Sequence, residues 1–239
     1  MTAMNKGSSV SAVTLVYGLW YAIEQCGVLL NDAVQLFERA SFPTALALAL
    51  LANEELGKSI RLLNLWEQIE NGNPITSADV EDAVRSKKNV HQQKQRAALA
   101  ESMTAGAGGT EIGRLLAELI RSSTQMRDAR FANGEPAENL RAELLADPRM
   151  EKLARNLNDA RKRVLYVNFD SSSGAWSRPR DEFGTEVKAL ASWMIFQVSN
   201  SYANYPSNLL QGTRRPKLAA ELNSWPARPA LPWVVPPRL

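Results

Sequence analysis

The one histidine of the chain, His91, stands among cations. Lys87, Lys88 and Lys94, together with Gln95, lie three or four positions from it, so a helix through this stretch gathers them on one side. Neighbouring cations favour a neutral imidazole, the form that accepts a proton, unless a carboxylate compensates. An earlier turn carries the acids. Glu54 and Lys58 are spaced i,i+4 and Glu55 and Lys58 i,i+3, so both pairs can meet on one helix surface. The chemistry that such a set can do is proton transfer, with ammonium and guanidinium groups stabilising charge that develops on a substrate.

Other chemistries lack their residues. One histidine and one cysteine leave no His- or Cys-rich metal cluster, and neither a metal nor a cofactor is expected. A Ser/His/Asp triad, a paired-carboxylate hydrolase site, a P-loop and a dinucleotide fingerprint are absent. The glycine stretch from Gly106 to Gly109 follows no strand and precedes no Lys-Ser/Thr, so it reads as a helix break. Cys26 reads as a small buried hydrophobe.

The elements that must position these groups are helices. Apolar spacing predicts a first helix from Val10 to about Arg39. Ser41 and Pro43 open a second, which runs to about Ile69. Its Ala/Leu run up to Ala52 looks buried nearly all round, so the acids that follow are expected to be enclosed and to find cationic partners on a neighbour. Gly57 is a poor helix residue, best explained by a close neighbour. Asn71 to Pro74 is a turn, and Thr76 or Ser77 caps a third helix that carries His91 and continues through Leu99. Further helices are expected over Glu111 to Phe131, Ala137 to Ala146, Pro148 to Arg163 and Glu182 to Tyr202. Val164 to Phe169 reads as an extended segment or short strand. The fold expected is all-α: an antiparallel helical bundle with additional helices and an irregular Pro/Trp-rich C-terminal tail. Residues 1–9 form a flexible lead, 10–205 the helical domain and 206–239 the tail.

That tail holds seven of the twelve prolines, with Trp225 and Trp233 between them. It reads as a strap over the core or a disordered end, or as a partner-docking arm. Five cations and one anion lie in it, so it carries +4 and the rest of the chain −1. A body so close to neutral has no long basic surface, and any nucleic-acid contact must be local. The lone cysteine suits a reducing cytoplasm. The apolar run Phe42 to Ala52 is short of the roughly 20 residues a spanning helix needs, so no membrane partner is expected. Val10 to Ile23 runs straight into helical sequence and reads as part of the body, not as a leader.

Three stretches in order give the chain a resemblance. ALALLANEELGKSIRLL, then HQQKQ, then ARKRVLYVNFDSSSGAWSRPRDEF resemble the AbiV-type abortive-infection proteins of bacteria, within the HEPN superfamily. The resemblance covers roughly Tyr21 to Ala203; Asn53 and Asn168 depart from the residues expected at their positions. It implies a helical bundle that pairs as a homodimer, and a metal-independent ribonuclease whose signature is Arg, four to six residues, then His. Here that signature is Arg85, five residues, His91. On one ideal helix the two would stand about 120° apart, so they converge only if the helix begins near Arg85 or if two copies face each other. On this reading His91 is the acid or base. Arg85 and Lys94 stabilise the phosphorane, and Glu55, less so Glu54, orients Lys58 or His91. RNA is the substrate, and a phage-encoded protein is the trigger. Two other readings stay open. One is a non-catalytic interaction module, in which the polar faces fix helix register or bind a phage or host partner. The other is a nucleotide-binding or nucleotide-transferring enzyme, against which the absent phosphate loop and Asp pair count.

Overall fold

Ser11 accepts a hydrogen bond from the Thr14 amide and starts helix α1 (Ala12–Glu38). The computed structural model of the chain describes residues 7–85, 90–101, 111–133, 138–166, 168–170, 175–179, 186–211, 215–232 and 234. α1 ends with Ala40 in the left-handed region (φ 59°), where the Ala40 amide donates to Phe37 O and the Ser41 amide to Leu36 O. This closes the helix as glycine usually does, and folds the chain back into α2 (Phe42–Glu70). Gly72 (φ 85°) ends α2 by the same hydrogen-bond pattern. A capping box between Thr76 and Asp79 opens α3 (Ser77–Val84). Then follow α4 (Val90–Glu101), α5 (Glu111–Asn133), α6 (Glu138–Ala146), α7 (Pro148–Leu165), α8 (Glu186–Gln211) and α9 (Pro216–Ser224).

α2 is the centre of this all-α bundle. It packs most extensively on α1 and also meets α4, α8, α7 and α3. Its buried positions, from Ala45 through Leu46, Leu50, Leu56 and Ile60 to Trp66, go round most of the helix. This is what the unbroken Ala/Leu run requires: small residues let neighbours close in on every side. α1 is also apolar, and by length and composition it could cross a membrane, which a scan for uninterrupted apolar runs does not see. Half of its most apolar stretch is buried inside the bundle. Leu15, Leu19, Ile23, Cys26 and Leu30 on that face are fully closed to water.

Three expectations are corrected by the structure. The third helix is two helices, because Arg85 takes an extended conformation (φ −105°, ψ 155°) and ends α3 before α4 starts. The stretch from Val164 is helical through Leu165. Tyr166 is already extended (φ −121°, ψ 148°), and β1 (Asn168–Asp170) pairs antiparallel with β2 (Ala175–Ser177) in a small ribbon that sets Phe169 opposite Trp176. The last long helix does not stop near Tyr202: α8 continues to Gln211 with Pro206 inside it, so the boundary expected at 205 falls within a helix. A proline removes one helical hydrogen bond, and here the ring is buried against the bundle, which offsets that loss.

The tail is neither irregular throughout nor free of the body. It contains α9 and then lies along α1. Trp225 stacks on Tyr17 at 4.1 Å between ring centroids and meets Tyr21 edge-on at 5.6 Å. Trp20 Nε1 donates to Pro229 O and Tyr202 OH to Pro232 O, each at 2.9 Å. The Arg228 guanidinium sits over the Trp20 ring. Trp233 lies outside the described residues.

Candidate functional site

α2 and α4 touch backbone to backbone. A Cβ built on Gly57 would fall closer than 3.0 Å to the carbonyl oxygen, carbonyl carbon and Cα of Lys94. Only glycine allows this approach, and that explains its place in a helix it otherwise weakens. The contact brings the polar turn of α2 against the first turns of α4.

There Glu54, with only 5% of its side chain exposed, is met by three groups on two helices. His91 Nδ1 lies 2.6 Å from Oε2, Gln95 Nε2 donates to Oε1 at 3.4 Å, and Arg161 Nε on α7 stands 3.2 Å from Oε1. The Arg161 approach is a charge contact without hydrogen-bond alignment, and its side chain is 11% exposed. Gln95 also donates to Leu50 O at 3.2 Å and accepts from Asn53 Nδ2. A buried carboxylate needs such company, because charge removed from water is costly unless paired and hydrogen-bonded. The imidazole, 37% exposed, is the part of the cluster that solvent and ligands can reach.

The residues singled out from sequence are distributed as follows. Glu54, not Glu55, meets His91. Glu55 and Lys58 pair with each other one turn on, with Lys58 Nζ donating to Glu55 Oε1 at 2.6 Å. They edge an open groove of about 500 Å³, shared with Gly18, Tyr21, Glu24 and Gln25 of α1. Lys94 is buried, and its ammonium donates to Val84 O at 2.9 Å, satisfying an end carbonyl of α3. Burial, and then the nearby Lys58 charge, holds the Lys94 amine below the ordinary lysine range. Arg85 follows that carbonyl in sequence. Its side chain is 72% exposed and pairs with Glu81 at 3.5 Å, and among the described contacts none ties it to Glu54 or His91. Lys87 and Lys88 lie outside the described residues. No group of His, Cys, Asp and Glu that could hold a metal occurs among the described residues.

Arg161 and Asn53 were not singled out as site residues from sequence. A signal for Arg161 exists. It falls on the stripe of α7 that carries Met150, Leu153, Ala154, Leu157 and Val164, all buried. An arginine on an apolar stripe implies an enclosed acid opposite it.

What the arrangement can do follows from its geometry. An imidazole held at Nδ1 by a buried carboxylate offers Nε2 outward as a proton acceptor or, once charged, as a donor. Residues 18–190 match the family model of AbiV, an HEPN family, a span that includes Glu54, His91 and Arg161 and ends early in α8. No curated protein and no solved structure matches the chain.

Proposed function

This chain belongs to the AbiV family of HEPN proteins, and from that premise we propose that it is a cytoplasmic abortive-infection effector that cuts RNA without a metal. In this reading His91 Nε2 takes the proton of a ribose 2′-hydroxyl. The freed oxygen attacks the adjacent phosphorus and the bond to the 5′-oxygen breaks. That oxygen leaves as a hydroxyl, protonated by the imidazolium of a second copy across a two-fold seam, and the other product end is a 2′,3′-cyclic phosphate. Arg85 supplies an exposed guanidinium to the charge on the phosphorane. Lys94 serves by fixing the end of α3 from which Arg85 projects. A homodimer gathers two such faces on one RNA, and a phage-encoded protein acts as the trigger.

The observation that carries this reading is the imidazole seated on Glu54 at 2.6 Å with more than a third of its side chain open. The experiment is cleavage of labelled RNA by the purified protein in the presence of a chelator, with and without His91→Ala. Cleavage is expected to fall by roughly a hundredfold or more on substitution; cleavage that survives it removes His91 from the chemistry.

One observation favours a second reading. The cluster ties α2, α4 and α7 together through a buried charge, as a network that sets helix register would. The protein would then be an interaction module that acts by binding a phage or host partner. Growth arrest that persists with His91→Ala, without RNA cleavage by the wild type, selects this reading.

A further inference from the structure

We propose that Arg161 is a positioning residue for His91: its charge beside one oxygen of Glu54 keeps the other an acceptor for His91 Nδ1, and so sets which ring nitrogen carries the proton. This rests on the nuclease reading only for its consequence in cleavage. The arrangement itself is a claim about the folded chain.

A carboxylate has two oxygens, and here their duties are divided. Oε1 faces Arg161 Nε at 3.2 Å and Gln95 Nε2 at 3.4 Å, while Oε2 faces His91 Nδ1 at 2.6 Å. The sense of the Gln95 amide is fixed from outside the cluster. Its nitrogen also donates to Leu50 O, and its oxygen accepts from Asn53 Nδ2. Arg161 is held from its far side as well, with Nη2 donating to Asn158 Oδ1 at 3.4 Å. Gln95 therefore asks Glu54 to accept, and the Arg161 charge beside the same oxygen favours the ionised, accepting form of the acid. An oxygen that only accepts, opposite Nδ1, places the imidazole proton on Nδ1 and the lone pair on Nε2.

Arg161 is what keeps Glu54 an acceptor. A guanidinium stays charged at any working pH, so it supplies counter-charge to the buried acid whatever His91 does. Without it the acid is left with a neutral amide and the imidazole. A buried carboxyl group stripped of its counter-charge can carry the proton itself and donate to Nδ1, which moves the ring proton to Nε2 and reverses the tautomer. The other charged groups nearby have partners of their own: Lys94 donates to Val84 O, and Glu55 pairs with Lys58.

His91 is the only histidine in the chain, so nitrogen-15 NMR of the imidazole gives one spin system and needs no assignment. In its neutral form the wild-type imidazole is expected to show a protonated Nδ1 and an unprotonated Nε2. In Arg161→Met the two nitrogens are expected to average or to exchange roles, and in Arg161→Lys, which keeps the charge, the wild-type pattern returns. RNA cleavage falls roughly tenfold or more in the Met variant and recovers in the Lys variant. A protein in which Arg161 only supports the fold would lose thermal stability in the Met variant and keep the tautomer, and that result overturns the proposal. A neutral wild-type imidazole with its proton on Nε2 overturns it with no variant at all, so failure of the Met variant to fold does not protect it. If the tautomer responds as expected while the wild type cuts no RNA, the positioning role stands and the nuclease reading falls. If cleavage depends on His91 while the tautomer ignores Arg161, the nuclease reading stands and the positioning role falls.

Discussion

The junction of α4 and α7 with α2, and the seam of the C-terminal strap with α1, both close over the same helical hairpin, and they do so with different physics. The junction is a buried charge shared by Glu54, His91 and Arg161, made reachable by a backbone contact at Gly57. The seam is made of Trp225 on Tyr17 and Tyr21, two hydrogen bonds to strap carbonyls, and ion pairs at the rim, Arg215–Glu67 and Lys217–Glu70. A buried charge cluster tolerates little: removing one member leaves the others unpaired, at a typical cost of about 3–5 kcal/mol. An aromatic seam with wet edges loses its parts one at a time. The family match ends early in α8, so it takes in the junction and leaves out the strap.

The hardest test of this contrast is Gly57→Ala. The added methyl collides with the Lys94 backbone, which cannot turn aside as a side chain can. The expected loss is about 2–3 kcal/mol in denaturant unfolding, despite the better helix propensity of alanine. Because α4 must move away, the Nδ1-protonated signal of His91 is expected to disappear as well. A folded Gly57→Ala protein with unchanged stability and an unchanged imidazole signal would mean that α4 is not seated on α2 in this way.

How much of the junction could be read from the sequence depends on how far apart the partners are. Glu55 with Lys58 was legible, because three residues on a helix face one another by geometry alone. That Glu54 takes His91 was not: adjacent residues on a helix point about 100° apart, and only the rotation of α2 against α4 decides between them. A cationic helix across from the acids could be argued from the burial of the Ala/Leu run. The break between α3 and α4 could not, since Arg85 to Asn89 contains neither glycine nor proline and nothing local ends the helix there. Arg161 shows its role only by lying on an apolar stripe. The strap was legible as a change of composition, but α9 within it was not, because a short helix in Pro-rich sequence is stabilised by docking and not by propensity.

Trp225→Ala tests the other side of the contrast. It removes the stack on Tyr17 and the edge contact with Tyr21, at an expected cost of about 1–2 kcal/mol. The strap is expected to loosen, read as faster proteolysis near the C-terminus, while the His91 tautomer stays as in the wild type. A change at His91 in this variant would show that the two regions are coupled through α1, and the separation drawn between them would fail.

The smallest effect belongs to Lys217→Met, and its pH dependence is what makes it informative. The Glu70 carboxylate beside it holds the Lys217 ammonium above the ordinary lysine value of 10.5. A group whose proton is bound more tightly in the folded chain stabilises it fully below the unfolded value, and that stabilisation is lost as pH rises through the folded value. The gap in melting temperature between wild type and variant should therefore be constant from neutral pH upward and close only above about pH 10.5. Because the pair is at the surface, salt should narrow the same gap at neutral pH. The Glu54 carboxylate is closed to water, so its contact with His91 should show no such salt response in the Nδ1 signal. If salt moves both equally, the junction is open to ions, and the distinction between a sealed charge site and a wet rim does not hold.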